Sequence, residues 1–225
     1  MSSTQKSALE FATGAAPQKR FQHLLGDLNG LLEQIGTPPE VIALAPSLNA
    51  KLIRDTASLQ KFLEAYQQRL LLPIELPAIA RAWTHVSRGE TRELIALDQE
   101  LSTEPLLAFV REPSRQVGQF QISALRPMRD QRVVQRYLNA IEAGQAQGWH
   151  TLVYGLTLFI YSVPLRQGLY HYAEQTLGSL ADIAARRVPL PASECHAVAA
   201  TLLKQLPTAI DRTLAPQESP FVAVK

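Results

Sequence analysis

The sequence predicts a single all-α domain. Three observations carry that prediction. Apolar residues recur at three- and four-residue spacing along most of the chain, the period of a helix with one buried face. The 15 prolines and 11 glycines fall mainly between those runs, as breaks. Few stretches alternate apolar and polar residues with β-branched side chains, so strands are not favoured. The composition, 46% hydrophobic and 19% charged, is that of a globular chain. A chain of 225 residues buries about 70% of its extended surface on folding, enough for a core without staples.

The elements follow in order. Residues 1–18 are small and polar and read as a disordered N-terminal segment; the helical domain then spans 19–215. Phe21, Leu24, Leu25, Leu28, Leu31, Leu32 and Ile35 make the first helical face, stopped by Gly36. Thr37 and Pro38 begin a short helix as cap and first-turn proline. Asp55 caps the next, with Leu59, Phe62, Leu63, Tyr66 and Leu70 on its core face, and Pro73 is expected to close it. Leu76, Ile79, Ala80, Trp83 and Val86 form another face, ended by Gly89. Residues 91–101 read as helix, 105–111 as a short apolar piece, 114–125 and 129–143 as two further helices. After a glycine-rich link at 144–148 comes an apolar helix over 150–162, expected at the centre of the fold. Pro164 opens the longest element, which ends at Arg186 and Arg187, where cations suit the helix dipole. Pro189 and Pro191 then restart the chain into a helix carrying Val198, Leu202, Leu203 and Leu206. Residues 216–225 read as a flexible tail. The total is nine to ten helices.

Composition also limits function. The 22 basic and 20 acidic residues leave a net charge of +2, which is no footprint for nucleic acid. The one cysteine, Cys195, rules out an internal disulfide and a cysteine zinc site. The most apolar run, 151–163, is too short to span a membrane, which takes about 20 residues. The N-terminus has no signal-peptide core. The expectation is a soluble, cytoplasmic protein without membrane or nucleic-acid partners.

The sequence holds no phosphate-binding GxxxxGK[ST] loop, no GxGxxG, no GxSxG elbow and no HExxH. His171 and Glu174 share a helix face, but a dimetal bundle needs further carboxylates and a second such pair. Cys195 and His196 are adjacent, so their side chains point about 100° apart on a helix. Trp149, Tyr154 and Tyr161 read as core rather than a ligand stack. No catalytic residue, metal site or cofactor is indicated, and the residues alone describe a helical binding module.

Four segments in order add more. They are Arg54-Asp55-Thr56-Ala57-Ser58-Leu59; Glu112-Pro113-Ser114-Arg115-Gln116-Val117-Gly118; Gly148-Trp149-His150-Thr151-Leu152-Val153-Tyr154-Gly155; and Arg186-Arg187-Val188-Pro189-Leu190. This series resembles the urease accessory protein F (UreF) family, with its "RD-x-x-SL", "E-x-SRQ-x-G", "GH-x-P-V-x-x-G" and "VPLGQ" stretches. The resemblance covers about residues 50–210. It implies an all-α protein that is not an enzyme and that dimerises. It implies binding to urease accessory protein D (also called H) and recruitment of the GTPase urease accessory protein G, for nickel insertion into apo-urease. Carried over by motif, Ser114, Arg115, Gly118, His150, Gly155, Arg186, Arg187, Pro189 and Leu190 become partner-binding or interface positions. Ser114, Arg115 and Gly118 are structural or interface residues, and Arg186 is a contact for the GTPase or urease. The chain departs from the family at Trp149, where histidine is usual, at Pro191-Ala192 in place of "GQ", at 37–49 and in the tail. The altered stretch at 37–49 and the missing tail motivate an alternative: a diverged UreF-like scaffold with a non-urease partner. A small-molecule-binding or enzymatic bundle is a third reading, and it would require a buried histidine and carboxylate meeting in one cavity.

Overall fold

A computed structural model describes residues 53–215. The helices expected at 21–35 and from Thr37, the N-terminal segment 1–18 and the tail 216–225 lie outside them. The described chain runs through α1 (Thr56–Tyr66), a π-helical segment (Gln67–Glu75), α2 (Leu76–Ser87) and α3 (Thr91–Thr103). A 3-10 turn (Pro105–Val110) leads into α4 (Arg111–Ala124), and α5 (Arg132–Glu142), α6 (His150–Ile160), α7 (Leu165–Arg187), α8 (Ala192–Leu203) and α9 (Leu206–Leu214) follow. No strand occurs among the described residues, so the class is all-α as expected. Thr56–Ser87 runs on as one rod and the 3-10 turn runs into α4, so the described residues hold slightly fewer separate rods than the expected nine to ten helices.

The core is organised around α6. Every residue from His150 to Leu158 is buried, which is why that segment is apolar on all sides rather than striped. Its most extensive contact is with α2, and α4 covers another side. Both contacts need a glycine. A Cβ on Gly155 would stand 2.5 Å from the Ile79 carbonyl oxygen of α2, and one on Gly118 would stand 2.0 Å from the Gly148 carbonyl oxygen. Helix backbones approach this closely only where the side chain is hydrogen. Around this centre α7 and α8 pair extensively, and α8 leans on α1.

The start of α1 shows how the sequence sets local structure. Asp55 Oδ1 accepts a hydrogen bond from the Ser58 amide at 2.7 Å, and Ser58 Oγ accepts from the Asp55 amide at 3.0 Å. This reciprocal capping box satisfies amides that the first turn leaves without partners. Leu59, next in the segment, is fully buried. Thr56 of α1 donates to Glu194 of α8 at 2.7 Å, joining helices far apart in the chain.

Three boundaries differ from expectation. Pro73 does not close the first described helix; it sits inside the π segment, and helix continues from Thr56 to Ser87. Proline removes one amide donor and crowds the preceding turn, and a wider π turn accommodates both. Helix α4 begins at Arg111 rather than at residue 114, because Pro113 falls in its first turn, where no intrahelical amide bond is lost. The last expected helix is two: Leu206 belongs to α9, whose second residue is Pro207.

Candidate functional site

The residues singled out by sequence fall into a buried group and an exposed group. Ser114, Gly118, His150 and Gly155 are buried; Arg186, Arg187 and Pro189 are exposed, and Arg115 and Leu190 are intermediate.

The buried group meets where α4 crosses the beginning of α6. Ser114 Oγ accepts a hydrogen bond from the His150 amide at 3.1 Å. One turn later, Gly118 lets α4 lie against the Gly148 carbonyl and the His150 amide. The loop leading into α6 is held from the other side by α3. Asp98, fully buried, accepts from the amides of Gln147 at 2.6 Å and Gly148 at 2.9 Å, and more weakly from Trp149 at 3.4 Å. It also accepts from the Tyr137 hydroxyl of α5 at 2.6 Å. Burial and the neighbouring carboxylate push the Tyr137 hydroxyl well above its usual range, so it stays a donor. Ser102, one turn after Asp98, accepts from the Trp149 indole at 2.9 Å. Asp98 thus fixes, from a distant helix, the loop that enters α6, and Ser114 supplies the side-chain acceptor for the first α6 amide.

A second polar cluster lies beside this clamp. A cavity of about 20 Å³ is lined by Glu75, Ser114, Trp149, His150 and Tyr172 together with apolar side chains. Glu75 Oε1 accepts from the Tyr66 hydroxyl at 2.9 Å. Tyr172 also lies beside the carboxylate and lowers the cost of its charge, but Oε2 has no hydrogen bond of good geometry. Burial dominates and raises Glu75 to about 7. His150 is fully buried, and neither ring nitrogen has a partner. Its ring stacks on Tyr172 with centroids 5.7 Å apart, and burial pushes its basicity down to about 3. A buried histidine and a carboxylate therefore do share one cavity, the condition set for the enzymatic reading. At about 20 Å³ the cavity is water-sized, far below the roughly 300 Å³ of a small-molecule site.

Glu75 was missed by the sequence reading. Its signal was present: one acid between Ile74 and Leu76 in the otherwise apolar run from Leu70 to Ala80. Trp149 and Tyr154 are buried as expected, while Tyr161 is 39% exposed.

The exposed group is elsewhere. Arg186 and Arg187 end α7, and Val188, extended, turns the chain toward Pro189 and Leu190. Arg115 pairs with Glu112 on its own helix at 3.2 Å, and Phe120, further along α4, is 79% exposed. Among the described residues the other histidines pair locally: His85 with Glu90 at 2.9 Å, His171 with Glu174 at 3.3 Å and His196 with Asp182 at 2.6 Å. Cys195 is buried, and its thiol is pushed up by that burial. Among the described residues, no three His, Cys, Asp or Glu side chains group as metal ligands, and no helix is long and apolar enough to cross a membrane.

The sequence model of the UreF family matches residues 53–203. The chain is also similar to the urease accessory protein UreF of Paenarthrobacter aurescens (strain TC1), at 26% identity over 191 residues, covering 84% of this chain and 75% of that protein.

Proposed function

The chain belongs to the UreF family, an accessory and not a catalytic family, and from that premise we propose that it is an adaptor in urease maturation. In this reading it bridges urease accessory protein D (or H) and the GTPase urease accessory protein G, so that nickel is inserted into apo-urease. Its mechanism is recognition: a cytoplasmic homodimer presents two surfaces and supplies no general acid or base. The observation that carries the proposal is the family match across the helical core. The division between buried and exposed residues supports it, because the buried ones act within the fold and leave the contacts to the exposed ones.

The partner-facing residues in this reading are Arg115, Arg186, Arg187, Pro189 and Leu190. Ser114, Gly118, His150 and Gly155 act from beneath, by fixing α4 and α6. Phe120 joins the first set, since a large apolar side chain kept in water is what a contact patch uses.

Co-expression with the D and G accessory proteins of the same organism, followed by pull-down and size exclusion, tests the proposal. The expected result is a ternary complex. Arg186→Glu is expected to weaken recruitment of the GTPase while leaving the helical spectrum unchanged. A folded chain that captures neither partner would support the alternative, a diverged scaffold with a non-urease partner; the altered stretch at 37–49 is what favours it.

A further inference from the structure

We propose that the cavity between the π segment, α6 and α7 is a water site, in which one buried water bridges Glu75 Oε2 and a ring nitrogen of His150. Three observations converge on it. The cavity, at about 20 Å³, exceeds the ~10–15 Å³ that one water needs. Two polar side chains that line it, Glu75 and His150, are more than nine-tenths buried and carry unpartnered atoms. Such atoms in folded proteins are nearly always satisfied, by protein or by ordered water. A water donates to one and accepts from the other, which neither group achieves alone.

The direction of the chain of hydrogen bonds follows from the surroundings. The lining comes from the π segment, α2, α3, the 3-10 turn, α4, α6 and α7, and its titratable members are Glu75, His150 and Tyr172. Tyr66 faces the carboxylate from α1, and Tyr154 flanks the imidazole within α6. No lysine, arginine or aspartate lines the cavity. With no cation to hold its charge, Glu75 is raised by burial to about 7 and carries its proton at pH 6. Its protonated Oε2 donates to the water, and the water donates to the neutral imidazole. The tyrosine hydroxyls remain protonated, raised by the same burial. The site holds one water and one proton in the centre of the fold, and it does not depend on the urease reading.

The test is nuclear magnetic resonance on the full chain with 15N-labelled histidine, the His150 ring being assigned through its contact with Tyr172. Expected are neutral-imidazole shifts at pH 6 and magnetisation transfer between that ring and a long-lived water. Glu75→Gln, which keeps an amide donor for the water, should retain the transfer, and Glu75→Leu should abolish it. If the leucine variant does not fold, the wild-type and glutamine measurements decide. An imidazolium signal at pH 6, or a wild-type chain with no long-lived water at this ring, would overturn the proposal.

Discussion

Asp98 and Glu75 are both buried carboxylates facing the beginning of α6, and the protein treats them in opposite ways. Asp98 receives two short backbone bonds, a third longer one and a tyrosine hydroxyl. These donors replace the water it lost, so both of its oxygens are satisfied within the fold. Glu75 receives one tyrosine bond of good geometry, on Oε1, with Tyr172 beside it, and Oε2 faces a small cavity. Its burial is therefore expressed as a retained proton. A buried acid can thus clamp a loop or store a proton, and the count of donors decides which.

Removing the better-solvated acid should cost the most. Asp98→Ala would leave the amides of Gln147 and Gly148 and the Tyr137 hydroxyl without acceptors, at roughly 3–5 kcal/mol. Urea unfolding of purified protein would register this as a lower midpoint. A loss under about 1 kcal/mol would mean the loop entering α6 is held some other way.

Glu75 predicts a pH effect rather than a loss. Its folded-state value is raised from 4.5 to about 7. Its contribution is therefore fully present below pH 4.5 and is lost as pH rises through about 7. Relative to Glu75→Gln, the wild type should lose about 3 kcal/mol of unfolding free energy between pH 4 and pH 8. His150 has the opposite sign. Lowered from 6.5 to about 3, its contribution is present above pH 6.5 and is lost as pH falls through about 3. Between pH 4.5 and 6.5 the folded pair holds one proton on Glu75, and the unfolded pair holds one on His150. The pair should then add no slope to stability across that window, and Glu75→Gln should expose a slope of falling stability toward acid. Chemical denaturation at half-unit pH steps would check both.

Close packing ranks next. Gly118→Ala places a methyl against the Gly148 carbonyl, and the neighbour is backbone that cannot rotate away. A loss of about 1–3 kcal/mol in thermal or urea unfolding is expected. At the surface, Phe120→Ser should change stability by no more than about 0.5 kcal/mol and still reduce capture of a partner in the pull-down. A change of several degrees in melting temperature would show that Phe120 belongs to the fold instead.

The sequence disclosed the frame of this molecule more fully than its interior chemistry. The helical period, Asp55 as a cap, Gly89 as a stop and the central position of α6 could all be read from local spacing, because each depends on neighbours a turn or two away. Asp98 could not, since its partners lie about fifty residues downstream and carry backbone donors that sequence does not mark. Pro73 misled for a related reason: a proline ends most helices, but here tertiary packing on both sides carries the helix through a π turn. Glu75 stood visibly alone among apolar residues, yet nothing local linked it to His150. For the partner positions the sequence supplied names through resemblance, and the fold divided them by burial.

Urease activation is the decisive assay for the proposed adaptor role. The structural subunits and the D and G accessory proteins of the same organism would be expressed in nickel-supplied cells, with and without this chain. The account predicts urease activity and bound nickel only when the chain is present, and weaker activation by a folded Arg186→Glu variant. Equal activity with and without the folded wild-type chain would contradict it.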